Sequence, residues 1–403
     1  MTDPHTEYHA VVIIGGGNAG LSVAGRLHRY HVKDVAVIEP RENHLYQPMF
    51  SHIAGGTAEK SIATRPQFSV TPRGTTWIQD HVCDIDPDAK TVELESGRIV
   101  SYGQLVVCPG IQKNWDAVPG LVDVMASPVG ISNYEFDYAA KAWNVLRATT
   151  GGTVVFTQPS GPATCAGAAQ KPMYLACDYW REQGVLDNIR VVLVLPTATM
   201  FGMPLIDNEL ERKVSEYGIE VLYGRELVEA AASTHTIVVA DKHRKSREEL
   251  HYDVLHAVPP QSAPDWLAAT RLASPTSRGG FVDVNPVTLR HARYPDVWAL
   301  GDAAETTNSK SGGALRKQTL TLAKNLAAAL KGKHLPKAYN GYSVCPFTVS
   351  RGTVVFAEFD DAYEPKPTIP FWKGLARERR LTWVADRYVL PWVYWNMILK
   401  GRA

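Results

Sequence analysis

The chain has 403 residues, 42 basic against 41 acidic, with 45% apolar and 21% charged side chains, enough for two or three domains whose cores need no disulfide staples. A net charge of +1 supplies no field for gripping a phosphate backbone, which excludes nucleic acid as a partner. The five cysteines are scattered and odd in number, which excludes a secreted disulfide framework and fits a reducing cytoplasm, and no run of about 18 mainly apolar residues is present to span a membrane.

The opening MTDPHTEYHA is polar and leads straight into an apolar strand, so no signal or transit peptide is expected. HAVVII (9–14), GGGNAG (15–20) and LSVAGRLHRY (21–30) predict strand, glycine turn and helix, and VAVIEP (35–40) a second strand. Gly15, Gly17 and Gly20 match G-x-G-x-x-G, with Glu39 lying 19 positions beyond Gly20. In this βαβ setting the glycines let a pyrophosphate approach the helix N-terminus, and Glu39 can accept a ribose hydroxyl. The fingerprint alone serves FAD and NAD equally.

Farther along, TVVFTQ (153–158) predicts the first strand of a second nucleotide fold, yet the following PSGPATCAGAAQKPMYLACDYW has strand, turn and helix without G-x-G-x-x-G. The nicotinamide site is read as lost. Cys165 stands in that turn, where unpaired amides and a helix dipole favour a thiolate, with Lys171 as a candidate cation. Cys83, Cys108 and Cys177 are read as buried hydrophobes. Cys177 lies 12 residues beyond Cys165, about 18 Å along one helix and too far for a disulfide. Cys345, in GYSVCPF, is the remaining exposed-looking candidate partner.

KHRKSREE (242–249) reads as a solvated charged loop. The thirteen histidines contain no H-E-x-x-H, and His5/His9 and His28/His31 read as terminal or helix-surface residues; no metal is expected. From 372 to 403, seven basic residues face two acidic ones, and four of the ten tryptophans (Trp372, Trp383, Trp392, Trp395) fall there. Leu381, Val384, Ala385, Tyr388, Trp392, Trp395 and Leu399 form one helical apolar stripe that Pro391 is expected to kink. A basic, Trp-rich amphipathic helix of this kind predicts attachment to an anionic membrane surface.

YPDVWALGD (294–302), ending in Gly301 and Asp302, resembles the second FAD motif of two-dinucleotide-fold flavoproteins, and LVVCPG (105–110) stands where those proteins cross between domains, with Cys108 and Pro109 replacing the usual Ala-Thr. Together these signals favour FAD over NAD. GGGNAG, VIEPRENHLYQPMF, SNYEFDYAAKAW, TCAGAAQKPMYL, RYPDVWALGD with Ser309-Lys310, YNGYSVCPF, AEFD and YWNMILKG then make the chain similar over nearly its whole length to the sulfide:quinone oxidoreductase family, in the branch that includes the mitochondrial enzyme. Arg316 and Lys317 depart from it, standing where small apolar residues are common.

The resemblance implies an α/β fold of two Rossmann-like dinucleotide-binding domains with a C-terminal amphipathic region: a FAD domain at 1–111 and 285–345, a second fold at 112–284 carrying Cys165, and a quinone and membrane region at 346–403. It implies noncovalent FAD held by Gly15, Gly17, Gly20, Glu39, Gln47, Val82, Gly110, Gly301, Asp302 and Lys310. It also matches Cys165 and Cys345 to the two redox cysteines of the family. Sulfide would attack their bridge, Cys165 would pass two electrons to the flavin, and Cys345 would carry sulfane sulfur to a small thiol or polysulfide acceptor. Lys310 would stabilise the reduced ring. Ubiquinone or menaquinone would reach the flavin past Phe356 and Phe359. A homo-oligomer is possible on this reading, and the expected place is the inner face of the cell membrane, peripherally attached. The rivals are a type II NADH:quinone dehydrogenase and a flavin-binding regulator without turnover.

Overall fold

A computed structural model describes residues 6–241, 246–368 and 376–403. Trp372, Lys373, His5 and the first four residues of the charged segment at 242–249 therefore lie outside the described residues.

β1 (Thr6–Ile14) leads through the glycine turn into α1 (Asn18–Arg29) and back to β2 (Val35–Ile38). Val11 to Ile14 and Val35 to Ile38 are buried on both faces, which is why they read as continuous apolar runs rather than alternating ones. β3 (Thr75–Ile78) flanks β2, and β4 (Ile99–Val107) flanks β1, all parallel. The second fold contributes β5 (Gly130–Ile131), β6 (Gly152–Thr157), α2 (Lys171–Glu182), β7 (Ile189–Leu195), β8 (Glu220–Tyr223) and β9 (Val254–His256), in a parallel sheet ordered β5-β9-β6-β7-β8. Two doubly wound units carry the chain, as expected.

β10 (Val297–Ala299) returns to the first sheet, parallel to β4. It feeds α3 (Gly312–Ala329) and an antiparallel hairpin, β11 (Ser343–Ser350) and β12 (Thr353–Phe359). Two domain limits shift accordingly. Ala263, Leu267, Leu272, Phe281, Val282 and Val284 pack in the same core as Val12, Ile14 and Val107, so the chain rejoins the first domain before 285. The expected limit at 345/346 cuts β11, because Cys345 pairs with Ala357 in the hairpin.

The C-terminal helix, α4, runs through Arg380–Val384, Ala385–Val389, Leu390–Val393 and Tyr394–Ile398, widening to i→i+5 bonding over the second and fourth pieces. Pro391 has no N–H to give the preceding turn, and the widening absorbs the break. The expected single apolar stripe divides in two. Leu381, Val384, Tyr388, Val389 and Trp392 are exposed, whereas Tyr394, Trp395 and Leu399 are buried against the first domain. Among the described residues no helix is long and apolar enough to cross a membrane.

Three smaller expectations change. Cys83 is exposed, because β-strand alternation turns its side chain outward at the sheet edge. His9 is buried in β1, its Nδ1 2.6 Å from Asp34 Oδ1. Ser246 to Glu249, read as loop, belong to a strand paired with Thr236–Asp241.

Candidate active site

The glycine turn is built for close approach. Gly15 has φ +101, and a Cβ there would stand 2.4 Å from the Cys108 carbonyl oxygen; a Cβ on Gly20 would stand 1.9 Å from the Gly15 oxygen. Gly17, exposed at the N-cap of α1, would meet nothing within 4 Å. The cradle is therefore open on the side where a pyrophosphate meets the helix amides. Glu39 accepts the Gly16 N–H at 2.8 Å and the Arg41 N–H at 3.0 Å, which orients its carboxylate at the end of β2.

The second motif arrives beside the first. Gly301 (φ +71) lies against α1, 3.7 Å from Ala19 Cβ by the same measure, and its N–H donates to Gln318 Oε1 at 2.9 Å. Asp302 accepts the Thr164 hydroxyl at 2.5 Å, and the Thr164 N–H donates to Gln261 Oε1 at 2.9 Å. Gln261 Nε2 is buried without a partner, a donor suited to a polar ring edge. Gly110 (φ +89) is likewise open, Gln47 is exposed in a single helical turn beside Pro48, which approaches Gly312, and Val82 is half-buried at the first sheet's edge. Open glycines, an oriented acid and an orphaned donor fit a dinucleotide.

Lys310 enters this site from the loop before α3. Its ammonium donates to the carbonyls of Asp302 at 2.7 Å and Ala304 at 2.8 Å and stands 3.9 Å over the Phe281 ring. Burial pushes its pKa down to about 8, against the opposing charges of Asp302 and Glu305. Its backbone carbonyl accepts the Cys165 N–H at 2.5 Å, so the GD segment and the cysteine turn are joined directly.

Cys165 sits in left-handed backbone (φ 45) at the start of a short helical turn, Ala166–Gln170, that leads into α2. Its sulfur lies 3.6 Å from that of Cys345 on β11, and both cysteines are free. Cys345, expected to be exposed, is buried; Gly167 lets the turn close over it, since a Cβ there would stand 2.8 Å from the Cys345 sulfur and 2.4 Å from the Phe347 ring. The pair shares its protons unequally. A hydrogen bond from Cys345 and the positive charge of Lys171 hold Cys165 low against burial, while the same bond, burial and the Cys165 thiolate push Cys345 up. Lys171, the expected cation, is buried at the head of α2 and raised by Cys165, Cys345 and Asp386 despite burial.

Sequence reasoning missed several supports. Asn133 donates to the Ala168 carbonyl and to Ser51 Oγ, both at 2.9 Å, and Tyr134 OH donates to the Cys165 carbonyl at 3.2 Å. Asp386 of α4 lies 3.0 Å from His52 Nε2 and bears electrostatically on Lys171 and Cys345. SNYEFDYAAKAW carried Asn133 and Tyr134, but nothing in its spacing linked them to a turn thirty residues on. Phe356 is half-buried, whereas Phe359 is sealed between Phe201 and Tyr363 on the face of the hairpin that carries Cys345. Phe359 is therefore buried in aromatic packing on the Cys345 face of the hairpin.

A dinucleotide fold, a second nucleotide fold and a cysteine pair at their junction define a disulfide-oxidoreductase flavoprotein. Residues 9–328 match the pyridine nucleotide-disulphide oxidoreductase family, and the cofactor of this class is a flavin. The mitochondrial sulfide:quinone oxidoreductase of Mus musculus is 33% identical over 398 residues, covering 98% of this chain and 87% of that protein. Its counterpart in Dictyostelium discoideum is 32% identical, covering 97% and 86%. In fold, the sulfide:quinone oxidoreductase of Aquifex aeolicus aligns with a TM-score of 0.81 at 19% identity, over 97% of this chain and 92% of that one. The chain belongs to the sulfide:quinone oxidoreductase family.

Proposed function

We propose that the protein oxidises sulfide to sulfane sulfur through Cys165 and Cys345 and delivers the electrons by way of FAD to a membrane quinone, ubiquinone or menaquinone. The observation that carries the reading is the 3.6 Å approach of the Cys345 sulfur on β11 to that of Cys165, whose N–H is hydrogen-bonded to the Lys310 carbonyl. Gly15, Gly17, Gly20, Glu39, Gln47, Val82, Gly110, Gly301, Asp302 and Lys310 hold the FAD, which when bound accepts an electron pair and passes it to quinone.

The protein's own residues order the sulfur chemistry. Sulfide as its anion attacks the Cys345 sulfur of the oxidised pair; the S–S bond breaks, Cys345 becomes a persulfide, and Cys165 departs as thiolate. A low-pKa leaving thiol speeds such exchange, and Lys171 stabilises the charge as it forms. A small thiol or polysulfide acceptor takes the terminal sulfur from Cys345, leaving a second thiolate. Re-forming the Cys165–Cys345 bond releases two electrons, and the sulfide proton passes to solvent. Lys310, cationic below its pKa of about 8, would offset negative charge on a flavin bound beside Asp302.

The exposed Leu381, Val384, Tyr388, Val389 and Trp392, beside Arg380 and Arg387, support peripheral attachment to an anionic lipid surface, which we place at the inner face of the cell membrane. The nicotinamide-fed rival is disfavoured because the cysteine turn occupies the position of its missing fingerprint. Purified protein loaded with FAD on anionic vesicles is expected to reduce quinone with sulfide. Reduction by NADH alone contradicts the reading.

A further inference from the structure

The glycine turn receives support that the reaction scheme leaves unused. The Gly16 carbonyl accepts from His44 Nδ1 at 3.0 Å and from Gln67 Nε2 at 3.0 Å, while the Gly16 N–H donates to Glu39. Because a carbonyl only accepts, Nδ1 of His44 carries the proton. Burial holds His44 well below the usual imidazole range, at about 4, so the ring is neutral and Nε2 is an acceptor. The donor to Nε2 is the hydroxyl of Tyr394 in α4, at 2.5 Å.

Tyr394 is itself fixed. Its ring stacks on Tyr46 at 4.1 Å, and Trp395 packs edge-on against His44 with the Arg65 guanidinium 4.5 Å over it. One turn later the chain seats backbone to backbone on α1: a Cβ on Gly25 would stand 2.6 Å from the Lys400 carbonyl carbon, and one on Gly401 would stand 2.3 Å from Arg26 N. Gly16 tolerates no side chain either, since its Cβ would meet Gln67 Nε2 at 2.5 Å and Glu39 Cβ at 2.6 Å. The two peptide groups that meet at Gly16 are thus held from opposite sides, and the carbonyl contacts fix the plane whose N–H, that of Gly17, would face the pyrophosphate.

We propose that Tyr394 is a positioning residue for the flavin, fixing through His44 the Gly16 peptide of the dinucleotide turn, so that α4 belongs to the cofactor-binding apparatus as well as to the membrane face. This rests on the FAD reading above. Losing the hydroxyl removes a buried hydrogen bond and leaves His44 Nε2 unpaired.

The test is the FAD dissociation constant of the full chain, read by flavin fluorescence without turnover. Tyr394→Phe keeps the stack on Tyr46 and is expected to bind FAD about tenfold more weakly, with Tyr388→Phe, an exposed hydroxyl on the same helix, unchanged. In a His44→Leu background Tyr394→Phe is expected to cost nothing more, because one residue acts through the other. A lowered apoprotein melting temperature with an unchanged FAD constant in Tyr394→Phe, or full additivity in the double variant, overturns the proposal. If wild-type chain takes up no FAD, the underlying reading fails; FAD held equally by wild type and Tyr394→Phe defeats only the positioning role.

Discussion

Cys165 and Cys345 are separated by 180 positions in the chain and by 3.6 Å at their sulfurs. Two left-handed or side-chain-free positions make this possible: the φ of 45 at Cys165 and the absent Cβ at Gly167. A bridge of about 2.05 Å needs only a small closing movement from there.

Mild oxidation is therefore expected to join Cys165 to Cys345 and no other pair. Cys83 is exposed and should alkylate freely, while Cys108 and Cys177 are buried and should stay protected. Peptide mapping after oxidation checks this; a bridge involving Cys83, or none at all, contradicts it.

Lys171→Met should move the reactivity of Cys165 toward alkaline pH. The native thiol titrates low because of the Cys345 hydrogen bond and the Lys171 charge, so its thiolate persists to lower pH. Removing the cation takes away one of the two lowering influences while burial remains, and once the midpoint has passed the working pH alkylation should fall about tenfold for each further pH unit. A pH profile of alkylation in the reduced protein reads the midpoint directly.

Gly167→Ala should destabilise the fold by about 1–3 kcal/mol through overpacking against Phe347 and Cys345. Denaturant unfolding measures it, and a loss well below that range would mean that the turn does not close over β11.

Much of this site was legible because its signals are local. The βαβ unit, the Gly301-Asp302 strand end and the cation at Lys171 each follow from a few adjacent residues. What stayed hidden depends on distant packing: Thr164 on Asp302, Asn133 on the Ala168 carbonyl, and Asp386 beside Lys171. Burial is not legible where one pattern has two outcomes. The α4 stripe is periodic throughout, yet only its last turns find a partner surface, and Cys345 looked exposed because the covering turn comes from another domain. The resemblance supplied its pairing; spacing did not.

The exposed half of α4 predicts membrane affinity. Replacing Tyr388 and Trp392 with Ser removes two large exposed apolar side chains, each worth roughly 1.5–3 kcal/mol when buried in lipid, and vesicle flotation should fall about tenfold or more per residue. Added salt should weaken binding further through the basic residues. FAD content should not change.

The central claim is that sulfur, not nicotinamide, feeds electrons to the flavin. Anaerobic addition of sulfide to FAD-loaded protein, followed at the flavin absorption band, should bleach wild type and leave Cys165→Ser and Cys345→Ser oxidised with FAD still bound, while NADH leaves all three unchanged. Bleaching by NADH, or undiminished bleaching by sulfide in either serine variant, contradicts the account.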